Sequence, residues 1–185
     1  MTAQLNRQLF TVSDYYKMAE TGILANNQRY ELLNGEIFKI SPQKSSHTSI
    51  TDFLDDEFKF YLRGIAHVRC QGSIYINEYS EPEPDIAILK NRKTRYRDRH
   101  PLPNEVLLVI EVSDSTLSKD RTVKKEMYAK AGIPQYWIVN IPDNQVEIYV
   151  NPNNGDYQKT TILKSGVLEF EGLETKVQIQ IKELF

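Results

Sequence analysis

A single cysteine, Cys70, stands among 185 residues, so no internal disulfide can form. With only three scattered histidines (His47, His67, His100), the chain offers neither a zinc-ligand spacing nor a Cys/His nucleophile pair. No GxxxxGKS/T or GxGxxG run occurs, which removes two common glycine-rich phosphate cradles. Long apolar runs are missing as well. The longest, Val106 to Ile110, is far too short to span a bilayer, and the opening MTAQLNRQLF lacks the apolar core of a secretory signal. No low-complexity tract, fixed-period repeat or Gly/Pro/Ser-rich linker interrupts the chain. The expectation is one globular domain over residues 1–185, soluble, with no membrane partner, in a reducing cytoplasm.

Excess charge of either sign is also lacking, since 23 basic residues face 25 acidic ones for a net charge of −2. The distribution is uneven. Lys90 to Arg99 holds six basic residues and one acid, which leaves 17 basic against 24 acidic elsewhere. Such a stretch is either a solvated loop or a grip for phosphates, through Arg92, Lys93, Arg95 and Arg97.

The patterns present are those of an α/β chain. TVSDYYKMAE reads as a short helix capped by Thr11 or Ser13 and stopped near Gly22. Asn34-Gly35 sits between two β-favouring runs and predicts a tight hairpin. From Ser46 to Leu62, apolar residues recur at helical spacing, which predicts a helix packed on a sheet. Strands are expected at about 66–77 and 84–89. EVLLVIEVS, apolar on both faces, suits a central strand covered by helices. A helix capped by Ser118 should run to Ala131 and stop at Gly132 before Pro134. QYWIVNI reads as another buried strand, and QVEIYV, YQKTTIL and VQIQI as shorter ones. Trp137, Tyr136 and Ile138 are read as core or a partner surface rather than a base-stacking platform.

The chemistry centres on carboxylates. Glu111 lies near the end of the most apolar strand, where an unpaired charge would cost several kcal/mol, so something must compensate it. Asp85 opens the strand DIAIL, and two neighbouring strands can bring both acids to one edge of the sheet. A salt bridge or a solvated strand end is the plain alternative. A hard cation such as Mg2+ prefers oxygen ligands, and two carboxylates plus water and phosphate would hold it. Asp120, Lys124 and Tyr128 recur every four residues on the next helix, so Lys124, one residue on from Val123 of the core stripe and thus at the margin of the buried face, can face the same edge; a solvated lysine or an i,i+4 pair with Asp120 is the alternative.

EPDIAIL followed by LLVIEVSDSTLSKDRTVKKEMYAKAGIPQYWIVN resembles the core of the bacterial family known as Uma two, restriction endonucleases within the PD-(D/E)XK nuclease superfamily. RYELLNGEIFKISPQKSSH is similar to the family's opening hairpin and histidine-led helix, so the likeness covers most of the chain. It implies a restriction-endonuclease-like fold: a mixed central sheet flanked by helices, with an N-terminal hairpin and extra C-terminal strands. It further implies a Mg2+-dependent endonuclease acting on DNA, with Mn2+ as substitute metal, and a homodimer if both strands are cut. The residues implied are Asp85 and Glu111 as metal ligands, the Val112 carbonyl as a further ligand, Lys124 as a lysine relocated onto the helix, Glu31 as an additional acid, with an exposed strand charge as its alternative, and His47 at the helix start, read as a DNA contact, with a hydrogen-bonding role at the helix start as its alternative. Ser113 stands where the superfamily usually has its lysine. That substitution favours the alternative, a non-catalytic binding or regulatory module on the nuclease fold.

Overall fold

A computed structural model describes residues 7–173 and 175–185. Residues 1–6, part of the opening read as lacking a secretory core, lie outside the described residues. No helix among the described residues is long and apolar enough to cross a membrane.

Helix α1 (Val12–Glu20) starts on a capping box in which Thr11 and Asp14 each satisfy the other's backbone N–H. Hairpin β1 (Tyr30–Leu33) and β2 (Glu36–Lys39) turns at Asn34 and Gly35, with φ of 50° and 80°. Both central residues of a type I′ turn need positive φ, so the Asn-Gly pair specifies this turn. Helix α2 (Ser45–Tyr61) lays Ile50, Leu54 and Phe58 onto the main sheet, as its periodicity predicts.

The main sheet has six strands in the order β3 (Ala66–Cys70), β4 (Ile86–Lys90), β5 (Val106–Ser113), β6 (Gln135–Asn140), β7 (Gln145–Asn153), β8 (Asp156–Leu163). Only β5 and β6 pair in parallel. Between them runs a helical crossover of three parts: α3 (Leu117–Lys119), a π-helical turn (Asp120–Lys124) and α4 (Lys125–Lys130). β5 is central and nearly buried throughout, as its two-faced apolarity requires. The structure has the mixed sheet, flanking helices and N-terminal hairpin of the expected fold class.

Successive strand residues point to opposite faces, and this alternation divides the core. Ile86, Ile88, Leu108, Ile110, Val112 and Trp137 face α2 and the C-terminal hairpin β9 (Val167–Phe170) and β10 (Val177–Gln180). Ala87, Leu89, Val109, Tyr136 and Ile138 face the crossover helix.

Several boundaries differ from expectation. The first main-sheet strand stops at Cys70 rather than continuing to residue 77, because Gln71 takes a left-handed φ of 47° and donates its N–H to the Asp85 carbonyl. The crossover helix begins at Leu117, with Ser118 inside it rather than capping it. β9 was not among the expected strands; its VLEF alternates Leu168 and Phe170 into the core only because β10 pairs with it.

Candidate active site

β4 and β5 are antiparallel, with Ile86 opposite Ile110. One step further along both strands lie Asp85 and Glu111. The start of one strand and the end of the other therefore meet at the same edge of the sheet.

Asp85 precedes β4 and is anchored by the strand beside it. Its Oδ2 accepts the Val112 N–H at 2.9 Å and lies 3.2 Å from His47 Nε2 on α2. Oδ1 has only a long contact of 3.5 Å from Gln43 Nε2. In an extended strand a residue's N–H and C=O point to the same side, so the Val112 carbonyl faces the Asp85 edge as well.

Glu111 is buried on the face covered by the crossover helix. Its Oε1 accepts from Lys124 Nζ and from the Tyr128 hydroxyl, each at 2.9 Å. Its Oε2 receives no hydrogen bond among the described residues. Burial pushes the Glu111 carboxyl up to about 8; Lys124 opposes the rise, while Asp120, Asp85 and Glu31 add to it. Lys124 moves the other way from what its burial alone would cause, because Glu111 and Glu31 hold its amine well above the ordinary lysine value. The two shifts express one fact: a charged lysine amid more buried carboxylate than it can neutralise.

Glu31, at the second position of β1, is 1% exposed rather than the exposed strand charge that was its alternative reading. It accepts from Lys119 Nζ at 2.6 Å and lies 3.1 Å from Lys124 Nζ. Burial alone would raise Glu31, but Lys124 and Lys119 outweigh it and hold the carboxyl below its usual range. Lys124 was expected at the margin of the buried face; it is 3% exposed and bridges two acids. Among the described residues it forms no salt bridge with Asp120.

These groups line a cleft of about 120 Å3 that opens beside Gln43, Lys44 and Asp114. Glu31, Asp85, Glu111, Val112, Lys124 and His47 all border it. His47, expected as a DNA contact, is engaged with Asp85 at its floor. Lys119 was not anticipated. It follows none of the four-residue spacing that singled out Lys124, and no periodic signal marks it.

Arg92, Lys93, Arg95 and Arg97 are not brought to this cleft. β4 carries the chain five residues away from Asp85, roughly 16 Å at about 3.3 Å per residue, before the basic loop begins. Arg92 is occupied within the loop: it donates to Asp98 at 2.7 Å and its guanidinium sits 5.5 Å from the Tyr96 ring centre. Lys93, Arg95 and Arg97 are exposed and form no salt bridge among the described residues. If the loop grips a nucleic-acid backbone, replacing Lys93, Arg95 and Arg97 with alanine will flatten the log–log salt dependence of duplex binding by about 0.9 per lost phosphate contact. An unaltered slope would make the loop a solvated surface only.

Among the described residues no group of three or more His, Cys, Asp or Glu side chains is arranged to hold a metal ion. The oxygens available are fewer and of mixed origin: Asp85 Oδ1, Glu111 Oε2 and the Val112 carbonyl. Hard, partly anionic and lacking hydrogen bonds of normal length, they suit a cation that keeps several waters, as Mg2+ does, rather than one enclosed by protein.

A mixed sheet whose central antiparallel pair brings two acids to one edge, with a lysine delivered from the following helix, defines a restriction-endonuclease-like protein. The sequence profile of the Uma2 family, described as "Putative restriction endonuclease", matches residues 12–181, and the chain belongs to that family. No curated protein matches it in sequence. Its fold is similar to the crystal structure of a putative nuclease belonging to DUF820 from Anabaena variabilis ATCC 29413, with a TM-score of 0.69 over 95% of this chain and 97% of that one, at 15% identity.

Proposed function

We propose that this protein is a metal-dependent endonuclease that hydrolyses DNA phosphodiester bonds at the Asp85–Glu111 cleft. The observation that carries the reading is the pair of anchored carboxylates, each holding one oxygen free of normal hydrogen bonds beside a buried, charged lysine. Asp85, Glu111 and the Val112 carbonyl would hold Mg2+ or Mn2+. Bound there, the ion would supply Lewis acidity toward the scissile phosphate and lower the pKa of a water. The remaining work falls to the chain. Val112 N–H and His47 fix the Asp85 rotamer, so one oxygen stays aimed at the cleft. Lys124 has three N–H bonds, two of them engaged by Glu31 and Glu111. The third is available to a phosphate oxygen and would offset charge that develops on it. Lys119, at the cleft wall, adds a second cation beside Glu31. Family membership supports DNA as the substrate.

Incubating supercoiled plasmid with the protein and Mg2+ or Mn2+ should give nicked and linear products, and excess chelator should abolish them. Binding without cutting would favour a non-catalytic module on the same fold. Cleavage that persists in chelator would remove the metal from the mechanism.

A further inference from the structure

Lys119 and Lys124 both reach Glu31, yet they are five residues apart in sequence. In an α-helix at 3.6 residues per turn such residues point about 140° apart, and both could not meet one carboxylate. The π turn over Asp120–Lys124 removes the conflict: the Lys125 N–H bonds back to the Asp120 carbonyl, an i→i+5 step. With that bonding, side chains five apart return to the same face of the helix.

The start of this turn is held at every polar point but one. Asp120 Oδ2 accepts from Ser113 Oγ at 2.7 Å and from Thr116 Oγ1 at 2.6 Å. Its backbone carbonyl also accepts from the Tyr136 hydroxyl at 3.1 Å. Ser113 belongs to β5 and Tyr136 to β6, so the two central parallel strands both grip Asp120. At the next residue Arg121 places Nε and Nη2 on Glu147 of β7, at 3.0 and 2.5 Å. Asp120 is itself 2% exposed, and its Oδ1 is buried with no partner. A carboxylate would not be left in that condition by packing alone, since desolvation of an unsatisfied oxygen is costly.

We infer that Ser113, Asp120 and Tyr136 are positioning residues: they hold the π turn that delivers Lys119 and Lys124 together to Glu31 and Glu111. Ser113 thus does not leave the usual lysine position vacant in function. It fastens the helix that carries the lysine. The inference rests on the nuclease reading for its consequence, but its geometry is independent of that reading.

The test therefore has two readouts. The first is competitive acylation of lysine amines followed by mass spectrometry, which reports the protection of Lys124 whether or not the protein cuts DNA. Parent protein should show Lys124 protected. Ser113→Ala and Tyr136→Phe each remove one hydroxyl with little change of shape, and should raise Lys124 reactivity by about tenfold, the factor that one or two lost buried hydrogen bonds produce. Asp120→Asn should keep Lys124 protected, because its side-chain oxygen still accepts from Ser113 and Thr116. The second readout is plasmid cleavage, where Ser113→Ala and Tyr136→Phe should lower kcat and leave the KM for DNA near the parent value. If the parent does not cut, the nuclease reading fails and the acylation result still decides the inference. Unchanged protection in both hydroxyl-deleted variants would overturn it. So would loss of protection in Asp120→Asn, which would assign the role to the charge of Asp120 and not to its hydrogen bonds.

Discussion

Lys124→Ala is expected to abolish plasmid cleavage and to destabilise the metal-free protein by about 3–5 kcal/mol, the cost of removing one partner from a buried ion pair. Placed at the margin of the buried face, the residue would have been removable with little effect on stability. The structure alters that expectation. Lys124 is enclosed between Glu111 and Glu31 and is 3% exposed. Without it Glu31 keeps Lys119, whereas Glu111 keeps only the Tyr128 hydroxyl. A divalent cation at the neighbouring oxygens should restore part of the lost stability. Thermal unfolding with and without Mn2+, alongside the cleavage assay, measures both effects. A variant that cuts like the parent would defeat the relocated-lysine mechanism, and one of unchanged stability would show that the ion pair is not closed in solution.

Glu111→Gln separates metal binding from folding. The amide oxygen can still accept from Lys124 and Tyr128, so the local shape is retained. The substitution also removes a charge that burial disfavours, and stability should stay near the parent value or rise. Metal binding should disappear, because Asp85 and the Val112 carbonyl alone leave a hard cation with one charged ligand. Calorimetric titration with Mn2+ should lose its heat of binding and cleavage should stop. Persistence of normal Mn2+ binding would mean that Glu111 is not a ligand, and its carboxylate would then be a structural partner of Lys124.

The hairpin, α2, β5 and the stop of the crossover helix were legible in the sequence, because each rests on a local rule. Asn34-Gly35 permits the two positive φ angles the turn needs, the i,i+3/i+4 apolar spacing in Ser46–Leu62 puts one face on a sheet, and a strand apolar on both faces must be central. The carboxylates could be named for a similar reason: an acid beside a buried apolar strand needs compensation wherever the chain folds. What the residue order does not contain is which partner compensates it. The antiparallel pairing of β4 with β5 set Asp85 beside Glu111 and sent the basic loop to the far end of the same strand. Lys119 was invisible for a sharper reason. Helical periodicity assumes about 100° per residue, and the π turn breaks that assumption at the five residues that matter. Nothing in DRTVK specifies a π turn by propensity; contacts from Ser113, Tyr136 and Glu147, on three different strands, hold it. Local sequence thus determined the elements and the acids, while tertiary contacts decided the helical pitch that joins two lysines to them, because only distant strands supply the hydrogen bonds that stabilise it.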